Sequence, residues 1–265
     1  FNENLFNNAA VVMPSMISEI IPPETRSTAL SNGWAWKIPL RNRYGNGYVY
    51  SSDHITPEQA ETELRRHLGL LDSEVAARHL HMKVGCAEKH WVKNCLAVGL
   101  SQGFIEPLEA TALALSYETI TLFMKHYESG HYTNKFESVF NVEINGKFEG
   151  VRDYIVCHYK ANQRKDTDYW RDNAINTKVP DSLNKILYLW RTSQNFAKDM
   201  QAHNLEGSYQ AKSWACLLAG YGVLPPLDAG AVSAHGKSSH DMNQLADFIR
   251  RCGLNFKKHN ELLTH

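Results

Sequence analysis

Two carboxylates three residues apart, Glu106 and Glu109, lie in the stretch Gly99-Leu-Ser-Gln-Gly103-Phe-Ile-Glu106-Pro-Leu-Glu109-Ala-Thr-Ala112. An apolar, strand-like segment, Cys95 to Gly99, leads into it, and a long helical pattern through Leu113, Leu115, Ile120 and Phe123 follows. A strand feeding a glycine-bearing turn that opens a helix presents backbone N–H groups to an anion or a phosphate-bearing cofactor. The glutamates make proton transfer an equally good use of the same turn. The plainer reading is structural: Pro107 suits a first helical position, and acids in a first turn complement the helix dipole.

A second stretch, Gly33-Trp34-Ala-Trp36-Lys-Ile38-Pro39, adds an aromatic wall. In extended backbone Trp34, Trp36 and Ile38 share a face. Such a pair is often the corner of an ordinary sheet; its functional use is to separate two ligand compartments. The elements that must position it read as a hairpin: Leu30 to Leu40, a Gly/Asn turn over Arg41 to Gly47, then Tyr48 to Ser52.

Together the two stretches resemble the flavin-dependent tryptophan halogenase family. Its Trp-x-Trp-x-Ile-Pro signature is matched by Trp34, Trp36, Ile38 and Pro39, and its Gly-Phe-x-Glu-Pro-Leu-Glu-(Ser/Ala)-Thr block by Gly103 to Thr111. Arg78 to Gly85, Glu88 to Asn94, Arg152 to Tyr159 and Asp168 to Arg171 are also similar to family text. The likeness is strong from about Ser27 to Asp172 and weaker to about Pro226.

The resemblance implies an α+β or α/β fold, the remainder of a flavin monooxygenase-like architecture. Residues 1–112 would be a substrate-side sheet with a flavin-contact segment, and 113–265 a mostly helical region. It implies FAD, delivered reduced by a separate flavin reductase, with chloride or bromide as co-substrate. Hypohalous acid formed at the flavin would then halogenate an electron-rich aromatic small molecule or peptide, such as an indole or tryptophan-like ring. By position Glu109 is the carboxylate beside the reacting ring, Thr111 and Ala112 offer the halide their N–H groups, and Gly99, Leu100, Gly103 and Phe104 contact the isoalloxazine. Trp34, Trp36, Ile38 and Pro39 complete the flavin side, the tryptophans keeping substrate from the cofactor. Relatives place Gly where Ala112 stands, and the halide role requires a helix that starts at or after Ala110, with Glu106 to Glu109 extended. A cluster gripping free tryptophan would fall near Ser208-Tyr209, which does not match it. A related flavin hydroxylase and a non-catalytic fragment without cofactor are the alternatives. The Gly-x-Gly-x-x-Gly fingerprint of an ADP-binding βαβ unit does not occur in these residues.

Composition narrows the rest. With 28 basic and 28 acidic residues the chain carries no nucleic-acid or membrane-surface footprint, and no apolar run approaches a membrane span. Five widely spaced cysteines fit reduced thiols in a cytoplasmic protein better than a disulfide framework. His79 and His81 could share a strand face, but no acidic or cysteine partner lies near in sequence, and no metal is assigned. A homodimer is among the expected assemblies. Asp53 to Leu71 reads as a helix with Thr56, Pro57 and Gln59 forming its start, Asp72 to Leu80 as a second helical piece, and the helix after Thr111 as buried on more than one side. Asn145-Gly146 leaves a hairpin and a helix–loop–helix both open. Asp181-Ser182 caps a helix, Ser213 to Leu224 is a buried stretch, and Ser239 to Arg251 is an amphipathic helix turning Met242, Leu245, Phe248 and Ile249 inward.

Overall fold

The computed structural model describes residues 1–225 and 242–263. Its sheet has five antiparallel strands: β1 (Ala9–Ser15), β2 (Arg26–Leu30), β3 (Gly33–Pro39), β4 (Tyr44–Tyr50) and β5 (Arg78–His81), in the order β2-β3-β4-β1-β5. Register places Trp34 opposite Val49 and Trp36 opposite Gly47. Strand alternation divides the apolar side chains between two layers. Ala9, Val11, Met13, Ala35, Tyr48 and Tyr50 face α1 (Pro57–Leu68), where Ala60 and Leu64 complete a core. Ala10, Trp34 and Val49 face the helical layer.

That layer is built on α2 (Ala112–Ser129) and α3 (Glu137–Lys160), followed by α4 (Asp168–Ile175), α5 (Asp181–Thr192), α6 (Phe196–Ala202) and α7 (Ala211–Gly220), with α8 (Met242–Gly253) and α9 (His259–Leu263) beyond. Helix α3 is its centre, burying Phe140, Ile144, Phe148, Val151, Ile155 and Tyr159 along one stripe. Short pairs connect sheet to helices: β6 (Gly85–Cys86) with β9 (Gly103–Phe104), and β7 (Trp91–Val92) with β8 (Cys95–Leu96). Among the described residues no helix is long and apolar enough to cross a membrane.

Helix α1 forms as its capping box and Pro57 dictate, and Gly69 ends it in the left-handed region at φ 71°. Elsewhere tertiary contacts override local signals. The expected helix over 72–80 is absent: Arg65 holds the carbonyls of Ser73 and Val75, and Arg78 to His81 pair with the open edge of β1. The hairpin turn is tighter than the Gly/Asn run suggests, with Leu40 N–H bonded to Arg43 O and Tyr44 to Gly47 already in β4. Asn145-Gly146 makes neither hairpin nor break, because α3 runs straight through. The Asn145 side chain is engaged instead in tertiary bonds, to the Glu88 carbonyl and the His90 ring.

Two helices expose what their pattern would bury. On α2 only Leu115, Thr119 and His126 are buried, while Leu113, Tyr117, Ile120 and Met124 are exposed. The intended inward face of α8, Met242, Leu245, Phe248 and Ile249, is exposed as well, and residues 239–241 lie outside the described residues. Asp181 and Ser182 fall inside α5, whose cap is Pro180; Ser182 Oγ donates to Asp153. The stretch from Ser213 forms part of α7, which ends at Gly220.

Candidate active site

The turn between β9 and α2 is where sheet, N-terminal segment and helical layer meet. Glu106 is 1% exposed. Its Oε2 accepts hydrogen bonds from Asn7 Nδ2 at 2.7 Å, the Trp34 indole N–H at 2.8 Å and the Tyr159 hydroxyl at 2.8 Å. Tyr169 on α4 donates in turn to Asn7 Oδ1 at 2.9 Å. The other oxygen, Oε1, is buried and has no hydrogen-bond partner among the described residues. Burial pushes the Glu106 carboxyl above its ordinary 4.5, and the three donors only partly offset that. Glu106 is therefore a hub joining β3, α3, α4 and the chain before β1.

Three residues later the surroundings change. Pro107 to Glu109 form a single 3₁₀ turn, not an extended one, and Ala110 follows in the left-handed region at φ 55°, a costly conformation for alanine. That reversal delivers Thr111 and Ala112 to the start of α2, whose ladder opens with Leu115 N–H to Thr111 O. The N–H groups of Ala112, Leu113 and Ala114 thus precede the first intrahelical bond, at the positive end of an 18-residue helix. Positive φ falls on residue 110, so alanine at 112 is an ordinary helical residue and the loss of glycine there costs nothing.

Glu109 is one-third exposed at its side chain, and its Oε1 lies 2.8 Å from His158 Nε2. This is an ion-pair distance; the ring N–H is not aligned along it as a hydrogen bond. His158 Nδ1 is 3.0 Å from the Tyr221 hydroxyl.

Two cavities flank the turn. One, of about 170 Å³, is lined by Gly99, Leu100, Gly103, Phe104, Pro107, Thr111 and Ala112. The other, of about 240 Å³, is lined by Trp34, Leu108, His158, Tyr159, Trp170 and Tyr221. The adjacent residues Pro107 and Leu108 face different cavities, so the turn itself is the partition. Trp34 and Trp36 are neighbours, with ring centroids 5.9 Å apart, but only Trp34 borders the second cavity. Trp36 lies across Gly47, where an added Cβ would fall 2.1 Å from its ring. Ile38 and Pro39, further along β3, line neither cavity.

The glycines of the turn have local causes. Gly99 sits in the left-handed region at φ 66°. At Gly103 a Cβ would meet the Gly85 carbonyl at 2.3 Å, so close pairing of β6 with β9 demands the bare backbone. Of the chemical groups described here, Glu109, Thr111, Ala112, Trp34 and the Gly99–Phe104 segment follow from the sequence motifs. The pairings within the Asn7–Glu106–Tyr159 hub and between His158 and Tyr221 do not: Glu106, His158 and Tyr159 lie in motif blocks, but their partners are distant in sequence and no spacing links them.

The fold and the turn combine an antiparallel sheet, a glycine turn, a tryptophan pair on β3 and a carboxylate beside a helix start, the features carried by the two motif blocks. The tryptophan halogenase family matches residues 1–235, and this chain belongs to it. It is 38% identical to tryptophan 6-halogenase SttH of Streptomyces toxytricini over 72% of this chain and 37% of that one. With 7-chloro-L-tryptophan 6-halogenase KtzR of Kutzneria sp. it shares 32% identity over 100% of this chain and 52% of that one. The solved thermophilic tryptophan halogenase Th-Hal from Streptomycin violaceusniger superposes with a TM-score of 0.85 at 33% identity, covering 97% of this chain and 51% of its own. The chain spans about half the length or less of the curated relatives it matches.

Proposed function

We propose that this chain forms the substrate-side and halide-side part of a flavin-dependent halogenase acting on an electron-rich aromatic, an indole or tryptophan-like ring. The observation that carries the reading is the partition: one short turn walls an apolar cavity at a helix start from a second cavity bordered by Trp34 and by the His158 partner of Glu109. Relatives named as tryptophan 6- and 7-halogenases support the substrate class.

The residues of the first cavity suit the ring end of a flavin and a small anion. Its walls are mostly apolar side chains and glycine backbone, with Gln102 and Ser116 among them, and the α2 N-terminus opens into it through Thr111 and Ala112. At about 170 Å³ it takes a ring edge rather than a whole dinucleotide. Bound and reduced, FAD supplies from oxygen the oxidising equivalents that turn halide into an electrophilic halogen. Thr111 and Ala112 hold chloride or bromide by their N–H groups; Gly99, Leu100, Gly103 and Phe104 seat the ring. Trp36, Ile38 and Pro39 belong to the same flavin side in this reading. Trp34, fixed by its bond to Glu106, keeps the substrate out of reach of the cofactor. Glu109 stabilises the cationic ring formed on attack and then accepts the proton from the ring carbon, whose C–H electron pair restores aromaticity.

The test is product analysis with FAD, a flavin reductase, oxygen and an indole, tryptophan or tryptophan-containing peptide, with and without bromide. A product carrying one bromine in place of hydrogen, formed only when bromide is present, is the expected outcome. An oxygenated product that ignores bromide would assign the site to a hydroxylase instead.

A further inference from the structure

Glu109 is held from behind. His158 is on α3 and Tyr221 just past α7, 63 residues apart, yet both meet at the Trp34 cavity. The His158 side chain is only 14% exposed, so its contact with Glu109 is shielded from solvent far better than a surface ion pair. The ring is boxed in by edge-on contacts to Tyr154 at 5.6 Å and Tyr221 at 5.8 Å.

We infer that His158 and Tyr221 are positioning residues for Glu109: the Tyr221 hydroxyl fixes the imidazole tautomer, and the imidazole fixes the carboxylate. The inference rests on the reading of Glu109 given above. Its logic is elimination of hydrogens. An ionised carboxylate has only lone pairs to offer, so of the two ring nitrogens the one 2.8 Å from it is the one that carries the proton, although its N–H is turned off the line of a hydrogen bond. In a neutral ring Nδ1 is then an acceptor, and the group opposite it at 3.0 Å, Tyr221 O–H, must donate. Burial raises the Tyr221 phenol above its ordinary 10.0, which keeps that donor protonated. The charges and titratable groups facing the pair are few: Glu106 reaches His158 from the same turn, and Tyr154 and Tyr209 reach Glu109 from the helical layer. No cation among these competes with His158 for the carboxylate.

The experiment uses this chain with ¹⁵N-labelled histidine. Two-bond nitrogen–proton spectra at pH 8 are expected to show His158 as the Nε2–H tautomer, and Y221F to give a mixture of tautomers. An Nδ1–H tautomer in the unmodified chain, or a single Nε2–H tautomer that persists in Y221F, overturns the inference. Should Y221F lose its near-ultraviolet circular dichroism, H158Q supplies the second arm. Gln keeps an N–H donor toward Glu109, so in enzyme reconstituted with FAD and reductase it is expected to retain kcat within about threefold. H158F is expected to lose about tenfold in kcat with KM unchanged. Equal losses in H158Q and H158F also overturn it. The two readings fail separately: undiminished halogenation by E109Q removes Glu109 as the base, whereas the tautomer measurement needs no turnover.

Discussion

Glu106 and Glu109 stand three residues apart on one turn, and their surroundings differ in almost every respect. Glu106 is enclosed, accepts three hydrogen bonds at one oxygen and ties four parts of the chain together. Glu109 keeps a third of its side chain open and faces the His158 ring at 2.8 Å. The difference separates a carboxylate that holds the architecture from one that is left partly open to solvent. It also explains how a partition two residues thick stays in place: Pro107 and Leu108 hang between a fixed anchor on one side and the left-handed Ala110 on the other.

The largest expected effect breaks the anchor. E106A strands the Asn7, Trp34 and Tyr159 donors, each at about 1–3 kcal/mol, so chemical denaturation should show a loss of ~3 kcal/mol or more. E109A should cost under about 1 kcal/mol, as a part-exposed pair does, while lowering halogenation by about 100-fold or more. Equal stability losses in the two variants would erase the distinction between the two carboxylates.

A smaller effect sharpens it through pH. Because burial raises the Glu106 carboxyl above 4.5, the folded state holds that proton more tightly than the unfolded state. The stabilisation is complete below the ordinary carboxylate range and is lost as pH rises through the raised folded value. E106Q has no such proton, so wild type should lose ground relative to E106Q as pH climbs above 4.5, measured by urea denaturation across that range. A gap that is constant with pH, or that moves in favour of wild type, would contradict this.

The smallest effect lies between the two. Ala110 is left-handed, which costs an L-residue about 1–2 kcal/mol, and A110G relieves it at an unfolded-state penalty of about 0.4–1 kcal/mol. A net gain of about 0.5 kcal/mol in stability is expected from A110G, and a destabilised variant would show that the strain assigned to this residue is absent.

The helices α2 and α3 show why only part of this was legible. By composition α2 is the more apolar, yet Leu113, Tyr117, Ile120 and Met124 remain exposed, whereas α3, despite its Asn145-Gly146 pair, buries a stripe along its whole length. Periodicity states which residues can be buried; which ones are depends on the surfaces brought against them. The lost helix over 72–80 has the same cause, since an open strand edge and Arg65 outbid weak local propensity.

Residue order alone determined what is local. The α1 capping box, the alternation that puts Trp34 and Trp36 on one face, and the motif blocks that mark the family all act over a few residues, where backbone geometry leaves little choice. Tertiary structure alone decided the roles of the two glutamates. Asn7 and Tyr159 reach Glu106 across 99 and 53 residues, and His158 reaches Glu109 across a similar span, so neither partner set leaves a spacing to read. Burial and partnership are properties of the folded chain, and they are what makes one carboxylate a fixed anchor and leaves the other partly open, as the role proposed for it requires.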